Sequence, residues 1–246
     1  MKIIISPAKK LSCKTAILNK DSIIQFQEDA KYLVRQLRSY SVSDIKEMMG
    51  LSNSLAELNY ERYKQWGSSD DLSHAIYMFQ GDVYKGLRAD TFTNDELIFA
   101  QDRLKIISGL YGLLRPLDLI YPYRLEMGTK IKTRYGKNLY EFWGDKLYNH
   151  LISDMQENEF LINLASNEYS KAVKLDRLKD VTITPVFKDY KNGKLKVISF
   201  FAKRARGEMV NFIVRNKLKN IEDLKLFNND GYKFQEEDGG NLLYVR

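Results

Sequence analysis

Met1-Lys2-Ile3-Ile4-Ile5-Ser6-Pro7 opens the chain, and its character separates an exported or membrane-bound protein from a globular one. The apolar core is too short for a secretory leader, and Pro7 stops it. No apolar run anywhere approaches the roughly 18–20 residues that a bilayer span requires. What remains is a strand. Its apolar residues are continuous rather than alternating, which suits a central place in a sheet, buried on both faces.

Outward from that strand, helical and extended patterns mix. Asp21–Arg38 reads as an amphipathic helix with Ile23, Phe26, Ala30, Leu33, Val34 and Leu37 along one stripe. A helix starting near Ser43 is ended by Gly50, and another, capped by Ser52, runs to Trp66. Ala75–Gln80 reads as a strand closed by Gly81. Thr93-Asn94-Asp95-Glu96 has the form of a capping box, and the helix it opens is predicted to reach about Ser108, with Gly109 as its stop. Glu159–Ala165 is a predicted strand, after which Ser166 can cap a short helix.

Asn192-Gly193, between Val181–Phe187 and Lys194–Phe201, is a strong hairpin signal. A helix from about Lys203 to Leu218 follows, and Gly231–Gln235 with Asn241–Val245 forms a second hairpin around Asp238-Gly239-Gly240. There is no steady βαβ rhythm, no repeat and no linker-like stretch. The expectation is a single α+β domain over residues 1–246, a mixed sheet with surrounding helices.

Composition agrees with a globular chain: 246 residues, 44% hydrophobic and 29% charged. One cysteine, Cys13, excludes an internal disulfide and points to a reducing cytoplasm. Lys9, Lys10 and Lys14 lie near it, and cations lower a thiol pKa, so a redox-sensing thiol stands beside the plainer reading of an incidental one. The net charge of +7 is unevenly spread. Residues 1–100 are balanced at 13 Lys/Arg against 13 Asp/Glu, whereas 161–217 hold 13 against 5. A concentrated basic surface is the footprint of a polyanion partner or, alternatively, a solubilising face.

The common catalytic signatures are missing. Only His74 and His150 are present, neither in a triad pattern, and there is no Walker loop, G-x-S-x-G or G-x-G-x-x-G. Neither a metal site nor a cofactor is expected. The carboxylates Asp82, Glu126, Asp145 and Glu168 would hold Mg²⁺ only if they converged, which their spacing does not establish.

Two segments stand out. Ile106–Asp118 places Gly109 and Gly112 between two apolar runs, which resembles a helix-hairpin-helix whose glycines and amides approach a phosphate; the alternative is an ordinary turn. In Ser199–Glu208, Lys203, Arg204 and Arg206 crowd the first turn of the predicted helix, against its dipole, and a bound phosphate would relieve that conflict. The alternative is a helix that starts later, near Gly207, leaving these cations in a solvated loop.

Ile5-Ser6-Pro7-Ala8-Lys9, Gly81-Asp82-Val83-Tyr84 and Ser108–Asp118 resemble the bacterial peroxide stress protein YaaA family. So do Pro122–Gly128, Phe142-Trp143-Gly144-Asp145, Asn163–Tyr169 and Ala202–Gly207, so that the resemblance spans essentially the whole chain in order. Lys10 departs from the pattern, where Thr is expected. The resemblance implies an unusual α+β fold, a positively charged cleft and a helix-hairpin-helix. It also implies DNA binding with little sequence preference and protection against hydrogen peroxide, by limiting free iron or assisting repair.

Two functional expectations follow. In the first, the chain is a non-enzymatic binder of double-stranded or branched DNA. Lys203, Arg204 and Arg206 hold phosphates, Gly109 and Gly112 present amides, and Arg115, Arg124 and Lys9 line the same cleft. In the second it is an enzyme acting on a nucleic-acid or phosphorylated small-molecule substrate through Lys9, Asp82, Tyr84, Glu126, Glu168 and Lys203, with Arg124 and Asn167 nearby. Convergence of Glu126, Glu168 and Lys203 on one deep pocket favours the enzyme, and a broad open basic groove favours the binder.

Overall fold

The structure is a computed structural model and describes residues 1–13 and 23–246. The opening apolar run forms strand β1 (Lys2–Ile5), with Ile3, Ile4 and Ile5 wholly buried. It lies between β2 (Leu104–Ser108) and β4 (Leu161–Leu164) and is parallel to both, with Ile3 opposite Leu104 on one side and Ile162 on the other. With β3 (Gly112–Leu114), β5 (Thr182–Lys191), β6 (Lys194–Lys196), β7 (Lys233–Asp238) and β8 (Asn241–Val245), these make an eight-stranded mixed sheet. Its order is β7-β8-β5-β4-β1-β2-β3, with β6 paired to β5 beyond the main path. The five inner strands are mutually parallel, while β3, β6 and β7 are antiparallel to their neighbours. This is the α+β mixed sheet with surrounding helices that the sequence suggested.

Helices α1 (Gln27–Leu37), α2 (Val42–Met49) and α3 (Asn53–Gln65) come first. Helix α2 is closed by a capping box of Ser41 and Asp44 and ends at Gly50 in the left-handed region; Ser52 caps α3. Helix α1 begins later than expected, since Ile23 is largely exposed, and Asp21 falls outside the described residues. Next come α4 (Asp82–Leu87), α5 (Asn94–Arg103), α6 (Leu139–Trp143), α7 (Lys146–Ser153), α8 (Asn167–Ser170) and α9 (Ser199–Arg215). The Thr93–Glu96 capping box opens α5 as expected, and Asn192-Gly193 and Gly239-Gly240 turn the two hairpins with positive φ. Among the described residues no helix is long and apolar enough to cross a membrane.

Three local expectations are overturned. Residues 75–80 are not one strand: a single helical turn, Ala75–Met78, separates the short strands Ser73–His74 and Phe79–Gln80. Helix α5 stops at Arg103, and Leu104–Ser108 is strand β2. The run Leu104-Lys105-Ile106-Ile107 suits either state locally; pairing beside β1, where every one of these residues is buried, decides for the strand. Gly109–Tyr111 therefore joins two antiparallel strands, and the expected helix-hairpin-helix is absent from this segment.

Third, α9 starts at Ser199, a full turn before Lys203, so Lys203, Arg204 and Arg206 lie beyond the first turn and the expected conflict with the dipole disappears. Gly207, which offered an alternative helix start, sits mid-helix for a packing reason. A Cβ on Gly207 would run into the Val83 carbonyl, and one on Gly86 into the Arg204 carbonyl. Helices α4 and α9 thus cross with their backbones nearly touching, and Asn211 Nδ2 donates to the Leu87 carbonyl across the crossing at 2.8 Å.

Candidate active site

The parallel strands β1 and β4 end side by side, and the loops leaving their carboxyl ends carry Ser6 and Ser166. Ligands of open parallel sheets gather at such strand ends. The Ser166 amide donates to Ser6 Oγ at 2.9 Å, and the Tyr84 hydroxyl donates to the Ser6 carbonyl at 3.1 Å, which fixes α4 over the strand end. Around this point lies a cavity of about 350 Å³. Five cations, Lys9, Lys10, Arg124, Lys203 and Arg206, and three carboxylates, Asp82, Glu126 and Glu168, line it. The lining is therefore mixed rather than simply basic, and it is small and concave as ligand pockets are.

Each group arrives on a different element. Lys9 is carried by the loop after β1, Asp82 and Tyr84 by α4, Arg124 and Glu126 by the segment following Tyr123, Glu168 by α8, and Lys203 and Arg206 by α9. Glu126 is the hub. Its Oε2 pairs with Lys9 Nζ at 2.6 Å and its Oε1 with an Arg124 amino group at 2.9 Å. The Gly128 amide donates to Glu168 Oε1 at 2.9 Å, and the Tyr140 hydroxyl donates to the Glu168 carbonyl, so that residue is held at both its carboxylate and its main chain. Asp82 makes a looser pair with Lys85 at 3.6 Å.

The floor is aromatic. Burial drives the phenols of Tyr84, Tyr123 and Tyr169 well above the ordinary tyrosine range, so each stays protonated. Neighbouring Tyr123, Glu168 and Glu126 push Tyr169 further in the same direction. Two cationic side chains carry donors without an acceptor. Arg124 Nε is buried without a hydrogen-bond partner, and Arg206 has neither a carboxylate nor an acceptor among the described residues. Burial lowers the pKa of Arg206.

All six residues expected for an enzyme, Lys9, Asp82, Tyr84, Glu126, Glu168 and Lys203, line this cavity, together with Arg124 and Arg206. Asn167 is exposed and does not. The remaining residues expected to hold DNA are dispersed. Arg204 turns away to pair with Glu208 at 3.0 Å. Arg115 lines a separate cavity with Lys2 and Lys105, at the opposite end of the sheet, and pairs with Asp118. Gly109 and Gly112 are buried. The amides of Leu110 and Tyr111 are taken by Ser108 Oγ at 3.2 and 2.9 Å, and the Gly109 carbonyl accepts from Trp143 Nε1. These glycines belong to a packed internal turn that no phosphate can approach.

Asp145 is bound to Lys174 and Arg177 on the surface, and among the described residues no cluster of His, Cys, Asp and Glu is arranged to hold a metal ion. His74 is a core histidine with Nδ1 2.7 Å from the Leu117 carbonyl. Cys13 is exposed, but burial of the sulfur and the charge of Asp71 raise its pKa, the reverse of activation by nearby lysines; Lys14 lies outside the described residues. Sequence reasoning missed Ser6, Tyr123, Ser166 and Tyr169. The signal that could have found them is position, immediately after two predicted buried strands or beside chosen charged residues.

Fold and cavity together define an α+β domain with a cavity of mixed charge at the carboxyl ends of parallel strands. Comparison with known proteins narrows this: residues 1–238 match the family model described as Peroxide stress protein YaaA, and the chain belongs to that family. It is 46% identical over 254 residues to a UPF0246 protein of Saccharophagus degradans, covering 100% of this chain and 99% of the relative. It is 48% identical over 254 residues to a UPF0246 protein of Shewanella baltica (strain OS185), with the same coverage. A UPF0246 protein of Aliivibrio fischeri (strain MJ11) is 46% identical over 245 residues, 97% of this chain and 94% of the relative.

Proposed function

We propose that this member of the peroxide stress family is an enzyme acting on a phosphorylated substrate, a small molecule or a unit of nucleic acid, in the cavity around Glu126. The observation that carries this reading is convergence: Lys9, Asp82, Tyr84, Glu126, Glu168 and Lys203, spread over nearly the whole chain, line one cavity. Opposed acids and bases on a protonated aromatic floor exceed what phosphate binding alone requires. Glu126, oriented by Lys9 and Arg124, is the group best placed to accept a proton.

Incubating the full chain with a panel of nucleotides and sugar phosphates, with product detection by mass spectrometry, tests the proposal. Conversion is expected for at least one compound and should fall at least about 100-fold in Glu126→Gln, in line with the loss of a general base. Conversion that is unaffected by Glu126→Gln and Glu168→Gln would remove the cavity from the chemistry.

A second reading, a DNA binder with little sequence preference, is favoured by the charge excess of residues 161–217. On this reading Lys203, Arg206, Arg124 and Lys9 contact a strand running over the cavity mouth, while Gly109, Gly112 and Arg115 take no part.

A further inference from the structure

Lys203 and Arg206 stand three residues apart on α9, so they are neighbours on one helix face, and both line the cavity. Arg204 between them faces elsewhere and is neutralised by Glu208. Of the other cations lining the cavity, Lys9 and Arg124 share Glu126, and Lys10 is exposed to solvent. Among the described residues nothing compensates Lys203 or Arg206. Adjacent like charges on a helix repel, and a half-buried guanidinium without an acceptor has lost hydration with no return. The depressed pKa of Arg206 expresses that cost. Arg124 Nε, buried and unbonded, adds a third idle donor at the same cavity.

The helix carrying this pair cannot yield. The Gly86–Gly207 crossing locks α9 against α4, so the cations are held in place before any ligand arrives. Two uncompensated positive charges and a spare N–H match an anion of charge near −2 with several acceptor oxygens. A phosphomonoester is such an anion at neutral pH, with a second pKa of about 6. A phosphodiester carries only one negative charge. A polyphosphate would extend further charge toward Asp82, Glu126 and Glu168. The remaining walls, Val83, Leu125 and the rings of Tyr84, Tyr123 and Tyr169, suit a planar apolar group whose N–H edges reach the carboxylates.

We propose that Lys203 and Arg206, assisted by Arg124 Nε, seat a single terminal phosphomonoester, so that the cavity takes a nucleotide ending in one phosphate. This rests on the phosphorylated-substrate reading above and specifies it. A free nucleoside monophosphate and the 5′-phosphorylated end of a DNA strand share that chemistry.

Calorimetric titration of the full chain separates these sources. The probes are the four common nucleoside 5′-monophosphates, the 3′,5′-cyclic monophosphates, the triphosphates, and one short oligonucleotide with and without a 5′-phosphate. A monoester is expected to bind at least tenfold more tightly than its cyclic diester or its triphosphate, and to weaken as pH falls below about 6. Arg206→Gln and Lys203→Gln should each weaken it about tenfold or more. Lys203 is exposed, and Arg206→Gln removes an uncompensated charge, so both variants should keep the thermal midpoint. Preference for the phosphorylated over the unphosphorylated oligonucleotide identifies the strand end as the source; its absence, with mononucleotide binding retained, identifies the free nucleotide.

Equal affinity for monoester and cyclic diester, or unchanged monoester binding in both variants, would overturn the proposal while leaving a phosphorylated substrate in the cavity. Binding of no phosphorylated compound would remove both.

Discussion

Replacing Gly207 by Ala tests the architecture that holds the site together. In an exposed helix this change stabilises by about 1 kcal/mol, because alanine is the better helix former. Here the new Cβ would collide with the Val83 carbonyl oxygen and lie 2.7 Å from the carbonyl carbon and 2.8 Å from the Leu87 nitrogen. These are backbone atoms of α4, which have no rotamer to yield. The helices would have to part by roughly an ångström, at the cost of about 1–3 kcal/mol typical of overpacking. The Asn211–Leu87 hydrogen bond at 2.8 Å across the crossing would go with it, for about 1 kcal/mol more. Set against the propensity gain, the net expectation is a destabilisation of about 1–3 kcal/mol. For a chain of this length that corresponds to a midpoint lower by about 2–12 °C. Urea denaturation followed by far-ultraviolet circular dichroism measures it. Because α4 carries Asp82 and Tyr84 while α9 carries Lys203 and Arg206, ligand affinity should drop as well. A Gly207→Ala protein as stable as the parent, or more so, would refute the close crossing.

Stability should also fall on acidification, for reasons rooted at the opposite end of the sheet. Burial, reinforced by Lys105, depresses the His150 pKa; burial pushes Asp154 upward, but the hydrogen bonds and charges of Lys105 and Lys2 outweigh it and hold its carboxyl low. Both folded pKa values lie below the unfolded ones, so the unfolded chain binds more protons and stability rises with pH. The His150 contribution is present above about pH 6.5 and is lost as pH falls below it; that of Asp154 is lost below about pH 4. Unfolding free energies from urea titrations at pH 5.5 and 7.5 should differ less in His150→Gln than in the parent, and an equal or larger difference would contradict the assignment. Cys13, whose pKa is raised by burial and Asp71, should react with iodoacetamide at pH 7.4 more slowly than a free thiol; faster reaction would restore a redox role for it.

The sequence by itself settled whatever depends on neighbours along the chain. Continuous isoleucines made β1 a buried strand, Ser41 with Asp44 and Thr93 with Glu96 closed helix starts, Gly50 ended α2, and Asn192-Gly193 turned a hairpin. Each of these is a contest between a few adjacent dihedral angles and hydrogen bonds, and the residue types present decide it. Family membership was legible for a related reason, since the motifs from Ile5 to Gly207 follow in order along the chain.

Only the tertiary structure decided that Leu104–Ser108 is a strand rather than the end of a helix, because the free energy that chooses comes from pairing with β1, about a hundred residues away. It alone gave Gly207 its meaning, as the notch that admits α4, and removed Gly109 and Gly112 from any surface. It also drew Lys9, Asp82, Glu126, Glu168 and Lys203 around one cavity while sending Arg115 to the far end of the sheet. Charge and hydrogen-bonding capacity are written in residue types, but whether a cation is compensated depends on which carboxylate the fold brings within a few ångströms. Thus Arg204, Arg206 and Lys203 read alike in the sequence, and only the turn of α9 makes the first a partner of Glu208 and sets the other two on the cavity wall, without a carboxylate partner among the described residues.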